Sequence, residues 1–263
     1  MANKKKRTFR IEWIIFIVAL IVFLTSGFFL FRFWMEYKQG TDMYEEVAQA
    51  VVSEAPEEVT EEEEGESEEE VPELLLPQVD LTALREINED AESWIYFPDS
   101  QINYPVIYAG DNEFYLNHLI DGSYNGAGTL FVEKQNGRNF ADTNTLIYGH
   151  NMKNGSMFGS LKLYRDYEYY KEHPVFYIFT DEGVYEYRIF SVRVVSAVGD
   201  AYVLTFESDE AYAEYLEKAF RTSMYDTDVE SLTTEDKIVT LSTCTASDEN
   251  RMIVQAVRGD KVR

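Results

Sequence analysis

The chain has 263 residues, of which 48 are acidic and 23 are basic, so its formal net charge at pH 7 is −25. A protein this acidic lacks the broad basic face that nucleic acid requires, and we exclude nucleic acid as a partner. The single cysteine, Cys244, cannot form an internal disulfide, so any role it has is that of a thiol or thiolate.

The first predicted element is a membrane anchor over residues 13–34. An uncharged apolar stretch runs from Trp13 to Phe31, which as a helix is long enough to span the hydrocarbon core of a bilayer. Basic residues are concentrated before this stretch, so the positive-inside bias predicts a cytoplasmic tail over residues 1–12 and an extracellular remainder. A cleaved signal peptide is the alternative, although the stretch is long for one and no small-residue cleavage site follows it. The sequence therefore predicts a single-pass protein of the cell membrane.

Residues 35–78 are predicted to connect the anchor to a folded domain. A short helix continuing from the membrane is expected over residues 35–52. Residues 54–73 then contain 12 glutamates and no basic residue. Like charges extend such a segment, and it has too little apolar surface to fold by itself, so we predict an acidic stalk.

Residues 79–263 are predicted to form one extracellular domain, mostly β with inserted helices. Helices are expected over residues 81–88 and 209–221, with Asp80 and Ser208 as their N-caps, and over residues 156–164. Eight runs rich in β-branched and aromatic residues, separated by turn residues, predict eight strands. These runs are residues 93–98, 102–109, 128–133, 143–149, 175–180, 184–198, 237–245 and 252–257. The pattern favours a mixed eight-stranded β-barrel over a doubly wound sheet.

Three residues at predicted strand ends could together perform thiol chemistry. Cys244 ends one apolar run, Arg251 opens the next, and His150 follows a third run just before a polar loop that contains glycine. Thiol catalysis needs a nucleophile, a group that moves its proton and a donor for the developing oxyanion. Each residue alone is more often structural, but the combination favours catalysis. The other histidines, His118 and His173, are interpreted as loop and surface residues.

Several segments resemble the sortases, the membrane-anchored transpeptidases of Gram-positive surfaces. Residues 240–244 read TLSTC and match the TLxTC signature of that family. Residues 144–161, which read NTLIYGHNMKNGSMFGSL, resemble the catalytic-histidine region of class B sortases. Residues 102–106 and 111–116 resemble the same class, as does the predicted helix that precedes the cysteine strand. The resemblance covers about residues 80–257 and implies a sortase-like β-barrel of eight strands.

The resemblance also implies roles for individual residues. Cys244 would be the nucleophile, His150 the general acid and base, and Arg251 the residue that orients the substrate and stabilises the oxyanion. Four further residues would bind the substrate: Asn112, Leu116, Tyr148 and Ser242. For Leu116 and Tyr148, packing in the core is an equally good interpretation.

The implied reaction is cleavage of a C-terminal sorting motif, formation of a thioester at Cys244 and transfer of the protein to an amine of the cell-wall precursor. Three alternatives remain open. The first is a pilin polymerase that uses a pilin lysine as the amine, and the second is a non-catalytic surface binding module on the same fold. The third is a hydrolytic protease, if water outcompetes the amine. No cofactor is expected, and no metal site is expected because the acidic residues lack ligand spacing such as that of an EF-hand loop.

The chain departs from the class B pattern between Cys244 and Arg251. The intervening loop is short for that class, which leaves the carboxylate partner of His150 open. Asp248 is the only candidate that we identify within the loop.

Overall fold

A computed structural model describes residues 2–53, 76–196, 199–244 and 250–263. Most of the predicted stalk lies outside the described residues, and so does the predicted histidine partner Asp248. The first helix, α1, runs over Ala2–Val51. Its stretch Glu12–Val51 is long and apolar enough to cross a membrane, with a mean hydropathy of 2.9 in its most apolar window of 18 residues. The helix is therefore a candidate membrane span by length and composition.

Within the described ranges, ten strands follow α1, and eight of them close into the predicted barrel. A two-stranded ribbon is formed by β1 (Val52–Ser53) and β2 (Gln78–Val79). The barrel strands are β3 (Ala91–Tyr96), β4 (Asn103–Ile107), β5 (Leu130–Val132), β6 (Asn144–His150), β7 (Val175–Thr180), β8 (Gly183–Ser196), β9 (Ile238–Cys244) and β10 (Asn250–Lys261). Their order around the barrel is β10-β8-β7-β3-β4-β5-β6-β9, which closes because β10 also pairs with β9. The predicted fold class is confirmed, and each predicted strand corresponds to one observed barrel strand.

Of the three helices predicted within residues 79–263, two are confirmed and one is wrong in kind. Helix α2 (Leu81–Ile87) has Asp80 as its N-cap, and helix α4 (Asp209–Arg221) has Ser208. The helix predicted over residues 156–164 is instead a 3-10 helix, Gly159–Arg165. Met157 has a φ of 53°, and this left-handed conformation ends any regular helix at that point. The six-residue helix α3 (Tyr167–Glu172) was not predicted.

The second half of α1 packs against the barrel. Tyr44, Val47 and Val51 are buried and belong to the same hydrophobic cluster as the barrel interior. The Tyr44 hydroxyl donates to the Gly128 carbonyl at 2.6 Å and also lies 2.8 Å from Thr129 Oγ1. The helix is therefore docked on the domain that follows it, which the sequence analysis did not predict.

A buried polar network attaches α4 to the barrel wall. Gln255 Nε2 donates to the Tyr215 hydroxyl at 2.7 Å and to Thr240 Oγ1 at 2.9 Å. Thr240 Oγ1 in turn donates to Asn144 Oδ1 at 2.8 Å. Because a buried polar group is costly unless it is hydrogen-bonded, this network fixes the position of α4. It thereby holds the long connection between β8 and β9 against the first half of β9 and the start of β6.

Candidate active site

Strand register brings the three predicted catalytic positions into one row. Strands β6 and β9 are parallel, and His150 is the register partner of Cys244. Strands β9 and β10 are antiparallel and their pairing ends with Ile253 opposite Ser242, and the same register continued by two residues would bring Arg251 level with Cys244. The two strands stay joined between these points because Met252 N donates to Thr243 Oγ1 at 3.2 Å. Residues 94 positions apart in the chain (244 minus 150) therefore become neighbours.

Gly149 lets β6 pack closely against two buried side chains, those of Leu130 and Phe158. A Cβ atom at this position would lie 2.4 Å from Leu130 Cδ2 and 2.6 Å from Phe158 Cδ2, which is closer than real Cβ contacts allow. Only a residue without a side chain lets these two buried groups press on the strand. The backbone position of His150, the next residue, depends on this close packing.

The His150 ring is half-buried and contacts the segment that carries Leu116. Its Nε2 atom lies 2.6 Å from the Leu116 carbonyl oxygen. Leu116 ends a 3-10 helix, Phe114–Leu116. Gly128 packs behind this helix with a φ of 61°, and a Cβ atom there would lie 2.5 Å from the Tyr115 carbonyl oxygen. Leu116 thus meets His150 through its backbone.

An aspartate turn fixes the start of that short helix. Asp111 Oδ1 accepts hydrogen bonds from the backbone N–H groups of Glu113 at 2.7 Å and Phe114 at 2.8 Å. These two bonds lower the pKa of the Asp111 carboxyl below its usual value, because they favour the ionised form. The turn therefore holds the segment beside His150 most firmly when Asp111 is charged.

Arg251 is half-buried and is the second residue of β10. It is the register partner of Val195 on β8, and its Nη1 atom donates to the Asn250 carbonyl at 3.2 Å. A guanidinium keeps its charge at any physiological pH and presents a fork of donors. The arrangement therefore offers a fixed cation at the edge of the row.

Two of the predicted substrate-binding residues form a second row, two residues before His150 and Cys244 on the same strands. Tyr148 on β6 is the register partner of Ser242 on β9. The Ser242 hydroxyl is buried and lies 3.0 Å from the hydroxyl of Tyr202. The Tyr202 ring is stacked with the Tyr148 ring at a centroid distance of 6.5 Å. Tyr202, from the β8–β9 connection, therefore covers this row, and the sequence analysis did not identify it.

Glu133 joins a third predicted binding residue, Asn112, to Tyr148. The Glu133 side chain is 5% exposed. Its Oε2 atom accepts from Asn112 Nδ2 at 2.7 Å and from the Tyr148 hydroxyl at 2.9 Å. Asn112 Oδ1 also accepts from Lys134 N at 2.9 Å, so both ends of the Asn112 amide are held. The sequence shows a glutamate at the end of an apolar run, and this residue was not identified from the sequence as part of the site. Its burial in the structure is unusual for a carboxylate.

Within the described ranges, no group of three or more His, Cys, Asp or Glu side chains is placed to hold a metal ion. The site consists of the row of His150, Cys244 and Arg251 and, beside it, the connected residues Asn112, Glu133, Tyr148, Tyr202 and Ser242. The first row has the residue types for acyl transfer, and the second has hydrogen-bonding groups and aromatic surface for an extended peptide. The individual roles of these residues stay predictions.

Comparison with known proteins agrees with this arrangement. The family profile for the sortase domain matches residues 95–259. Sortase B of Listeria monocytogenes is 35% identical over 181 residues, which cover 67% of this chain and 72% of that protein.

Two solved structures are also similar. The crystal structure of sortase B from Bacillus anthracis in complex with AAEK1 superposes with a TM-score of 0.71 at 32% identity, covering 86% of this chain and 98% of that one. The Staphylococcus aureus sortase B–substrate complex superposes with a TM-score of 0.66 at 29% identity, covering 69% of this chain and 85% of that one.

Proposed function

Because the chain belongs to the sortase family and is a sortase B-type transpeptidase, we propose that Cys244 is its nucleophile, His150 its general acid and base, and Arg251 its oxyanion stabiliser. The single observation that supports this proposal is the register of β6 and β9, which pairs His150 with Cys244, and that of β9 and β10, which, continued beyond Ser242 and Ile253, brings Arg251 level with them. No other cysteine in the sequence competes for the role of nucleophile.

In the first step, the Cys244 thiolate attacks the scissile carbonyl carbon of the sorting motif, and the carbonyl oxygen becomes an oxyanion. The guanidinium of Arg251 stabilises that charge. The intermediate collapses as the carbon–nitrogen bond breaks, and protonated His150 gives its proton to the leaving amine. The products are a thioester on Cys244 and the released C-terminal peptide.

In the second step, an amine attacks the thioester carbonyl and forms a new amide bond. His150, now neutral, takes the proton that the amine loses, and the Cys244 thiolate leaves. We propose an amine of the cell-wall precursor as the acceptor. A thioester is reactive enough for an amine to take the acyl group, so the exchange of one amide for another needs no external energy source.

We further propose that the sorting motif lies over the second row, in contact with Asn112, Leu116, Tyr148 and Ser242. The half-buried Tyr148 ring and the Asn112 amide are held in place by Glu133, which supports a preformed groove. The contact between the Leu116 carbonyl and His150 supports a path from this groove to the proposed nucleophile. Sequence specificity would then be set by side chains whose positions are fixed before the peptide binds.

We propose a topology with a cytoplasmic tail over residues 1–12, a membrane anchor over residues 13–34 and an extracellular catalytic domain over residues 79–263. Residues 35–78 would connect the last two. The apolar composition of α1, together with the basic residues that precede its apolar stretch, supports this orientation. The acceptor and the substrates would then meet the enzyme at the outer membrane surface.

The proposal is tested by mixing the full chain, in detergent micelles, with peptides that carry the sorting motifs NPxTx or LPxTG. Intact-mass spectrometry should detect a thioester adduct on the native chain and none on the Cys244→Ala variant. Addition of a wall-precursor amine should release the adduct as an amide, whereas a pilin-lysine peptide should not. An adduct that persists on Cys244→Ala, or the absence of any adduct on a folded chain with an alkylatable thiol, would overturn the assignment.

A further inference from the structure

We propose that an exposed aromatic patch on the catalytic domain, made of Phe114, His118 and Tyr124, rests in the lipid headgroup layer of the membrane. The inference rests on the anchoring of α1 proposed above. It goes further by assigning a second membrane contact, which fixes how the domain is oriented over the bilayer.

The three rings form one stack. The Phe114 and His118 rings are nearly parallel, with centroids 4.0 Å apart. The edge of the Tyr124 ring meets His118 at a centroid distance of 5.7 Å, and the two residues form an antiparallel bridge. Phe114 is nevertheless 42% exposed and Tyr124 71% exposed. Contiguous exposed aromatic rings of this kind mark a surface that has a partner.

Contacts along α1 give the height of this patch above the membrane. The Tyr44 hydroxyl bonds the Gly128 carbonyl, and the Ala127 Cβ atom would lie 3.2 Å from a Cβ atom at Gly40. One turn earlier, the Glu36 carboxylate accepts from Gly126 N at 2.9 Å.

Asn125 Nδ2 also donates to the Glu36 carbonyl at 2.9 Å, so the loop runs from the level of Tyr44 to the level of Glu36 as it passes from Gly128 to Asn125. Tyr124 adjoins Asn125 in the chain and is therefore expected within about one helical turn of Glu36, close to the end of the uncharged stretch at Arg32. Tyr124 is thus expected at the level of the headgroups.

The chemistry of the patch suits that layer. Tyrosine and tryptophan prefer the membrane interface because they combine an apolar ring with a polar edge, and Trp34 of α1 lies at the same level with 57% of its surface exposed. Asp111, Glu113 and Asp121 flank the rings in the sequence, so anionic lipids would be repelled. We therefore assign the zwitterionic headgroup layer as the partner.

The contact would also orient the active site. Phe114 and Leu116 belong to the same three-residue helix, and the Leu116 carbonyl touches His150. A domain resting on Phe114 and Tyr124 would hold the proposed active-site row close to the outer surface of the bilayer.

The test uses the full chain in phosphatidylcholine nanodiscs, with Cys244→Ser as the background for single labels. An environment-sensitive fluorophore is attached to Tyr124→Cys, to Gly27→Cys within the apolar stretch, or to Thr82→Cys, an exposed site beyond the far end of α1. Quenching is measured with nitroxide lipids that carry the spin label in the headgroup or in the acyl chain.

We expect the headgroup nitroxide to quench the label at position 124 at least twofold more than the label at position 82, with a blue-shifted emission. Equal quenching at positions 124 and 82, with position 27 quenched by the acyl-chain nitroxide, would overturn the patch and leave the anchor intact. An unquenched label at position 27 would overturn the anchor itself, and the patch proposal with it.

Discussion

The row of His150, Cys244 and Arg251 and the docked half of α1 are held by different kinds of contact. Within the row, His150 and Cys244 are held by a backbone ladder that runs without interruption from Asn144 and Ile238. The docked helix rests on side chains such as those of Tyr44 and Val47. A ladder shifts only when the backbones are forced apart, whereas a docked helix is weakened one side chain at a time. The two regions should therefore respond differently to substitution.

The largest effect is expected from Gly149→Ala, which attacks the ladder. The new methyl group would overlap Leu130 and Phe158, so β6 must move away and carry His150 with it. Overpacking of this kind costs about 1–3 kcal/mol of stability. We expect the rate of thioester formation to fall at least 100-fold, because a displacement of about 1 Å at a reacting group can have this effect. Quenched time-course assays of thioester formation would measure the rate, and urea unfolding would measure the stability.

Gly259→Ala is the matched control, because a Cβ atom there makes only ordinary contacts, the nearest at 3.4 Å from the Glu186 carbonyl oxygen. It should leave both the rate and the stability near those of the native chain. A Gly149→Ala variant that retains the native rate would show that the position of His150 does not depend on this packing.

An intermediate effect is expected from Glu133→Gln, which leaves the ladder intact and disturbs the groove beside it. The amide has the same shape, but it removes the charge that accepts from Asn112 and Tyr148 at one oxygen. Hydrogen bonds to charged groups contribute about 1.5–3 kcal/mol, so we expect the KM for the sorting-motif peptide to rise about tenfold. The value of kcat should stay within twofold, since the first row is untouched.

The exposed Glu113→Gln serves as the control for loss of an acidic charge near the groove. It should change neither constant by more than twofold. If Glu133→Gln instead lowered kcat and left KM unchanged, Glu133 would act on the chemistry and not on the position of the peptide.

The smallest effect is expected from Tyr44→Phe, which attacks the docked helix. The substitution removes the hydrogen bonds of one hydroxyl to Gly128 and Thr129, which should cost about 1 kcal/mol of unfolding free energy. The control is Tyr37→Phe, because no hydrogen bond of the Tyr37 hydroxyl is present among the described residues. Urea unfolding would measure both, and an unchanged stability of Tyr44→Phe would show that docking is apolar alone.

The same hydroxyl gives the docked helix a dependence on alkaline pH. Burial raises the pKa of Tyr44 well above its usual value of 10.0. A raised folded-state pKa means that the contribution is fully present below pH 10 and is lost as the pH rises towards the folded-state value. The stability difference between the native chain and Tyr44→Phe should therefore shrink as the pH is increased above 10. A difference that stays constant up to pH 11.5 would contradict the assignment.

The sequence predicts the parts of the barrel better than their arrangement. Each strand appears as its own run of β-branched and aromatic residues, and the caps Asp80 and Ser208 mark their helices locally. The pairing of β6 with β9 joins segments far apart in the chain, and hydrophobic periodicity gives no information about partners. Residue types at the predicted strand ends indicate the candidates, but only the resemblance in the motifs around His150 and Cys244 indicates that those ends meet.

The features that were missed depend on contacts between distant residues. Tyr44, Val47 and Val51 are spaced as one face of a helix, and this spacing is a signal for docking. The signal is short and lies between the apolar stretch and the acidic segment. Tyr202 carries no local signal at all, because its role comes from the fold of the β8–β9 connection. The left-handed Met157 likewise has no marker in the sequence, and for that reason a helix was predicted where a 3-10 turn occurs.

The parallel pairing of β6 and β9 has a consequence for the time at which activity appears. Contacts between residues that are distant in the chain form late in folding, because the entropy of closing a long loop must be overcome first. Strand β9 lies between β6 and β10, so the barrel stays open until residues 238–261 have been made and have paired. While the chain is still emerging, Cys244 and His150 are far apart and cannot act together. Pairing of β9 with β6 is therefore the step that brings Cys244 beside His150.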